Sequence, residues 1–593
     1  MEEFAILFDS GIVLGHINGL VYEYEDVSKD DISTLAATIP LAEDLFQLDN
    51  VTESFNEYDY TIIKNINSLV DTLTGIDSER TNVIEFCDCY VIIPPRCKIC
   101  ADCLARRYSE GININYCPVN AVASKIVSIN YVSSPLPSIP LNDVRLLEHN
   151  QIMVLMKGQG EKFNVENFIC YPDCVRFIAP SVKIMPISEK SSTSHRSTII
   201  KNLDDYVGRF CPVVFIENLG SYDGGLYPVY GSMSASSILE KEFSYHGGKG
   251  HNQQQAESSA IGEAIERYSA RKFWYDEDVI SSEYDLAKKS LPFVSIYDLH
   301  PFDPKENWNN KQIEWCRGDI VGSQKREYIY IPANVVYFPY EALSDLHFTM
   351  QSTTGLASGV SVDDAKLQGL LELIERHYYS LAFRTDDSQS LVSDIELDTD
   401  NPLLKNLREK FKFHLTLLND SRLGCYVVHC VLESNEDNFP KYTHGSGAAM
   451  DIITAIYRSI FESLQLRTSQ IVLNNSGQIY DEGNIAYLKW GEGKEDEYYR
   501  VLLNNDSRNV VHIIDDYSSS KFEVNTKDAI SLLCNQLNEM GVQVYSVDLS
   551  RKDVPLKCVR MIAPKLQDID NEFVKITAEL KRLGLKNKRV LFS

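Results

Sequence analysis

Three stretches of this chain repeat one arrangement of apolar and polar positions. They are Ser259-Ala260-Ile261-Gly262-Glu263-Ala264-Ile265-Glu266-Arg267, Gln368-Gly369-Leu370-Leu371-Glu372-Leu373-Ile374-Glu375-Arg376 and Arg458-Ser459-Ile460-Phe461-Glu462-Ser463-Leu464-Gln465. Each has a polar residue, a Glu four positions later, and a Glu or Gln three positions after that. On an α-helix those offsets share one face. The positions between are mostly Ala, Ile, Leu and Phe, which predicts helices that are otherwise buried. Runs of β-formers predict strands at 4–8, 211–216, 328–331 and 425–432, and an acidic helical stretch is expected at 41–46. Beyond about residue 195, β-rich segments alternate with long amphipathic helices, the pattern of an α+β fold with large mixed sheets.

Rows of acid on buried helices are costly unless something cationic meets them. A metal ion carrying a polyphosphate would do so. Magnesium takes oxygen ligands, commonly a few carboxylates with phosphates and water. Glu263, Glu266, Glu372, Glu375 and Glu462 are the candidate carboxylates from three converging helices. Arg267, Arg376 and Arg458 are placed to offset the charge or to fork onto phosphate oxygens. Each helix follows a Gly-containing segment, at 247–250, 355–359 and 445–447, and these are expected to be loops. The first holds Lys249, a point charge beside backbone N–H groups that can approach a phosphate. The Walker A spacing is absent, so a P-loop nucleotidase is not supported.

Composition narrows the partners. The 593 residues carry a formal net charge of −27, the wrong sign for a general nucleic-acid binder. No window approaches the apolar length of a membrane span, and the first residues are acidic where a signal peptide is basic. A cytoplasmic protein is expected, with its 14 cysteines as thiols or metal ligands rather than disulfides.

Eight of those cysteines lie between 87 and 174, which marks a region of its own. Cys97, Cys100 and Cys103 stand at two-residue gaps, and Cys170 and Cys174 supply a second pair. Such spacing lets thiolates converge on one zinc, with Cys100, Cys103, Cys170 and Cys174 the preferred set, Cys97 a close competitor and Cys117 a further one. A Ser/Thr stretch at 188–194 reads as a linker. His246, His251 and His377 stand next to the motifs as isolated proton-shuttle candidates, and each is more commonly a packed or solvated histidine.

Gly248-Lys249-Gly250, followed after seven residues by Ser258-Ser259-Ala260-Ile261-Gly262-Glu263-Ala264-Ile265-Glu266-Arg267, strongly resembles the first signature of YcaO-domain proteins. Leu371-Glu372-Leu373-Ile374-Glu375-Arg376-His377 and the set Arg458, Glu462, Gln465 resemble the second and third. The resemblance spans 195–593. It implies an ATP-dependent enzyme of peptide natural product (bacteriocin-like) biosynthesis. In such enzymes a Cys, Ser or Thr side chain attacks the backbone carbonyl, the amide oxygen is phosphorylated, and loss of phosphate leaves a thiazoline or oxazoline. By position it assigns Lys249, Ser259, Glu263, Glu266, Gln368, Glu372, Glu375, Arg376, Arg458, Glu462 and Gln465 to ATP and magnesium, the five glutamates being the metal ligands. Arg560 is a further phosphate candidate and equally a plain strand arginine.

The segment Ile92-Ile93-Pro94-Pro95-Arg96-Cys97 through Cys100 and Cys103-Leu104-Ala105-Arg106-Arg107 resembles the cyclodehydratase partner domain often fused or paired with YcaO domains. That implies a smaller α/β zinc-containing domain over 86–190, preceded in 1–85 by a leader-peptide-binding module. The partners implied are a ribosomally made precursor peptide (leader and core), a partner cyclodehydratase subunit, a flavin-dependent dehydrogenase and a second copy of the chain in a homodimer. Azoline-forming members often end in a proline-rich tail, whereas residues 586–593 hold no proline. Thioamidation with a sulfur donor therefore stays open beside ring closure, as does a non-catalytic leader-binding scaffold.

Overall fold

A computed structural model of the chain describes residues 5–7, 13–17, 20–24, 51–53, 60–64, 81–85, 89–94, 103, 104, 107, 147, 151–156, 163–172 and 174, and most of 203–584. The expected helix at 41–46, the linker at 188–194 and residues 586–593 lie outside the described residues, as do Cys97, Cys100 and Cys117.

The N-terminal part holds two sheets. Strands β1 (Ala5–Leu7), β2 (Val13–Ile17) and β3 (Leu20–Tyr24) form an antiparallel meander. Strands β4 (Val51–Glu53), β5 (Tyr60–Lys64), β6 (Thr81–Glu85), β7 (Cys89–Ile93), β8 (Gln151–Met156) and β9 (Phe163–Asn167) pair in chain order, with β5 and β6 parallel. Since β6 pairs with β7, strands on both sides of residue 85 share one ladder. A shift in cysteine content carries no information about strand pairing, which depends on residues far apart in sequence.

The larger part holds three sheets. Strands β10 (Val213–Asn218), β11 (Val229–Ser234) and β12 (Tyr245–Lys249) form the first. The second runs β13 (Val279–Ser281), β14 (Ile313–Ile320), β22 (Tyr545–Asp548), β23 (Lys557–Ile562), β16 (Leu356–Gly359), with β15 (Tyr328–Pro332) also on β14. The third runs β20 (Tyr442–Ala449), β19 (Tyr426–Ser434), β18 (Phe411–Leu417), β17 (Ser393–Thr399), β21 (Val510–Asp515). The strands expected at 4–8, 211–216, 328–331 and 425–432 are β1, β10, β15 and β19. The whole is α+β with mixed sheets.

Three long helices join these sheets: α1 (Gln253–Ala270), α2 (Val362–Arg384) and α3 (Ile452–Ser476). A fourth, α4 (Thr526–Glu539), packs on α2. Asn252 caps α1 by accepting from the Gln255 N–H at 2.9 Å, and the Gln255 side chain accepts from the His251 N–H at 2.8 Å. The first bond satisfies one donor that the helix start leaves open, and the second ties down the residue before the cap. α1 lies between β11–β12 and β16, α2 between β16–β23 and β20, and α3 between β19–β20 and β12. Sheets and helices thus alternate around a ring, and each helix turns its polar row to the same interior.

Candidate functional site

The Gly-containing segments are not loops. Residues 247–249, 356–359 and 445–447 lie in strands β12, β16 and β20, with Gly250 and Gly355 just outside them, and each strand leads into its helix. Their glycines serve close packing, because the following helix folds back against the strand. A Cβ on Gly359 would stand 2.6 Å from the Ala365 nitrogen, and one on Gly445 2.6 Å from the Ser459 carbonyl oxygen. Each unit is therefore strand, tight turn and helix, and the three helices present their polar rows at matching depth. Glu263, Glu266, Gln368, Glu372, Glu375, Arg458, Glu462 and Gln465 are all half-buried, while Ala260, Ile261, Ala264, Leu371, Leu373, Ile374, Ile460 and Leu464 between them are buried.

The structure brings the predicted carboxylates into one electrostatic cluster. Glu263 pairs with Arg267 at 3.3 Å, and Glu266 with Arg267 at 2.8 Å. Glu372 pairs with Arg376 at 2.8 Å, and Glu462 with Lys249 at 3.3 Å. Burial raises the Glu263 carboxyl above the usual range; Arg267 and Lys249 oppose that rise, and Glu372 and Glu462 from the other two helices add to it. Glu375 accepts from the Ser446 hydroxyl at 2.5 Å. Burial, then the neighbouring Glu462, push the Glu375 carboxyl up to about 7. Carboxylates held so close in a protein-walled space call for a cation. Glu263 nevertheless keeps 32% of its side-chain surface open, so the cluster is accessible from solvent.

The remaining predicted residues complete the wall. Arg458 donates to the Gln368 side chain and to the Ala448 carbonyl, both at 2.7 Å, linking α3 to α2. Gln465 lies against Gly247, and its Oε1 is buried without a hydrogen-bond partner. Ser259 sits half-buried one turn before Glu263. Arg560 lies within the field of Glu372, but its donors go to the carbonyls of Val335 at 2.9 Å, Thr354 at 3.0 Å and Ser352. It ties loops together behind the site.

Several contributors were not singled out from sequence. The Ser358 and Gly355 N–H groups donate to Glu266 and Glu372, each at 2.9 Å. Thr354 and Asp568 extend the Arg376 network at 3.0 and 2.8 Å. Ser446 had a signal, a hydroxyl flanked on both sides by glycine. The backbone donors had none.

The three histidines each make packing or hydrogen-bond contacts. His246 is buried against Ser234 at 3.2 Å, and burial drives its pKa well down. His251 packs on Tyr457 and Phe461, with ring centroids at 5.2 and 4.7 Å. His377 Nδ1 accepts from the Gln567 N–H at 2.9 Å.

A second cluster lies in the cysteine-rich region. The sulfurs of Cys103, Cys170 and Cys174 fall within 4.8 Å of one another. Thiolates around one zinc stand roughly 3.8 Å apart for metal–sulfur bonds of about 2.3 Å. The Tyr171 N–H donates to Cys103 Sγ at 3.4 Å, a contact that favours a charged sulfur. The fourth preferred ligand, Cys100, is outside the described residues. No described helix is long and apolar enough to cross a membrane.

Comparison with known proteins places this architecture. Residues 247–567, more than half of the chain, match the family model described as YcaO cyclodehydratase, ATP- and Mg2+-binding. An uncharacterized protein of Methanothermobacter thermautotrophicus is 28% identical over 344 residues, 55% of this chain and 82% of its own. A heterocyclase solved in complex with substrate and cofactor aligns over 94% of this chain and 86% of its own at TM-score 0.67, with 14% identity. The heterocyclase TruD aligns over 91% and 78% at TM-score 0.55, with 15% identity. At such identities the structural likeness speaks for the fold, and it extends through the N-terminal part.

Proposed function

Because this chain belongs to the YcaO family, we propose that it is an ATP- and magnesium-dependent cyclodehydratase that closes azoline rings on Cys, Ser or Thr residues of a ribosomally made precursor peptide. The observation that carries this reading is the convergence of Glu263, Glu266, Glu372, Glu375 and Glu462 from three strand–helix units, with Lys249 at their edge. The donor set fits magnesium: all oxygen, anionic, and in excess of its local cations. The unpartnered Oε1 of Gln465 and the lysine suit a nucleotide seated beside the metal. Magnesium bound there would neutralise phosphate charge.

The chain's own residues do the rest by position. Backbone amides of Ser358 and Gly355 hold Glu266 and Glu372 in place, and Arg267 and Arg376 fix their rotamers. Such preorganisation is the main contribution a protein makes to phosphoryl transfer. In the proposed reaction the peptide thiol or hydroxyl releases its proton to solvent as it adds to the preceding carbonyl, and the resulting oxyanion takes the γ-phosphoryl group as ADP departs. Loss of phosphate and of the amide proton then leaves the C=N bond of the ring.

Zinc is proposed at Cys103, Cys170 and Cys174, with Cys100 completing the set, as a cross-link between distant segments of the cysteine-rich region. The meander β1–β3 is proposed as part of a leader-binding module. The deciding experiment is the intact mass of a Cys/Ser/Thr-rich precursor after incubation with the protein, ATP and magnesium. Loss of one water per modified residue supports ring closure. Exchange of oxygen for sulfur in the presence of a sulfur donor would instead mean thioamidation. An unchanged mass without phosphate release would favour a scaffold.

A further inference from the structure

Arg107 is far from the carboxylates in sequence and fully buried in a core shared by the cysteine-rich region and α1. Cys103, Leu104, Phe168 and Tyr171 pack there with Ile261, Ala264, Ile265 and Tyr268. The guanidinium donates to the Tyr268 hydroxyl at 3.1 Å, to Asp553 Oδ2 at 2.8 Å and to the Ile169 carbonyl at 3.0 Å. Tyr268 donates to the same Asp553 oxygen at 2.5 Å. The other Asp553 oxygen is buried without a partner, so the arginine is what compensates this carboxylate. Removing one member of such a buried pair leaves an uncompensated charge.

Tyr268 follows Glu266 by two residues and Glu263 by five, about 3 and 7.5 Å along the axis. It points about 200° around the helix from Glu266, so Arg107 grips α1 from behind the site. Arg551, on the same loop as Asp553, binds the Ser269 and Arg271 carbonyls at 3.2 and 2.7 Å. Two arginines thus hold the C-terminal end of the helix, where cations complement its dipole. On its other side the Arg107 guanidinium lies 4.0 Å over the ring of Tyr171, and the Tyr171 backbone N–H donates to Cys103 Sγ.

We propose that Arg107 is a positioning residue for the nucleotide site. Through Tyr268 and Asp553 it sets the placement of Glu263 and Glu266, so the cysteine-rich region controls how well the catalytic part binds metal–nucleotide. This rests on the nucleotide reading given above. The test uses the full chain with Tyr268→Phe, which removes one hydroxyl and keeps the ring, and with Arg107→Lys, which keeps charge and loses the fork. The probe is the β,γ-methylene analogue of ATP with magnesium, titrated calorimetrically beside KM for ATP, kcat, thermal midpoint and zinc content. Loss of one charge-assisted hydrogen bond should weaken analogue binding about tenfold, with KM rising in step and zinc content unchanged. Lowered thermal midpoints with wild-type affinity and KM would overturn the proposal and make the node mere packing. Wild-type protein that fails to bind the analogue would overturn the nucleotide reading, and this inference with it.

Discussion

Gly445→Ala tests whether close packing of strand on helix aims the carboxylates. A Cβ there would stand 2.6 Å from the Ser459 carbonyl oxygen, 2.7 Å from Glu462 Cβ, and hard against the Ser463 nitrogen. Carbon atoms pack at about 3.5–4.0 Å, so β20 and α3 would have to part by about 1 Å. Two of the three obstacles are backbone, and the third is the root of Glu462 itself. The displacement is therefore delivered to the carboxylate that pairs with Lys249. A misplacement of about 1 Å costs about 10²-fold in rate, or about 2.7 kcal/mol of barrier. Overpacking should also cost about 1–3 kcal/mol of stability. Gly262→Ala is the contrast. Its Cβ would lie 3.6 Å from Leu556 Cδ1 and 3.9 Å from Ser358 Oγ, ordinary contacts, on the helix that carries Glu263. That variant should gain about 1 kcal/mol from helix propensity and keep its activity. The assays are peptide-dependent phosphate release and thermal unfolding of both variants. Wild-type kcat/KM and an unchanged midpoint in Gly445→Ala would refute the reasoning.

Glu263→Gln and Glu372→Gln should each abolish peptide-dependent phosphate release while far-UV circular dichroism stays unchanged; full turnover in both would remove the magnesium assignment. Protein purified under reducing conditions should carry stoichiometric zinc by elemental analysis, reduced in Cys170→Ser, and metal-free protein of wild-type stability would exclude the cysteine site. His429 and His444 are buried together, 3.3 Å apart, beneath Tyr379 and Phe383. Burial pushes His429 down to about 3 and His444 well down, so both stay neutral when folded and protonate when unfolded below about 6.5. Their contribution is whole above that pH and is lost as pH falls, by up to about 2 kcal/mol per histidine at pH 5. Denaturant unfolding at pH 7 and 5 should show a shallower loss in His429→Gln/His444→Gln, and an identical slope would contradict the burial account.

The chain's sequence alone determined the three polar rows, since Ser259, Glu263 and Glu266 and their counterparts lie four and three residues apart, offsets that a helix turns to one face. It likewise determined strands such as β19, through a run of β-branched and apolar residues. Tertiary structure decided the rest. Whether Gly445-Ser446-Gly447 is a phosphate loop or a strand depends on how near α3 passes, and local composition does not encode that distance. The raised carboxyl of Glu375 depends first on burial and then on Glu462, 87 positions away, and both arise only when the helices converge. Arg107 reads in sequence as one more basic residue after a cysteine run. Its grip on Tyr268 and Asp553 spans 161 and 446 residues, so it exists only once the two parts of the molecule share a core.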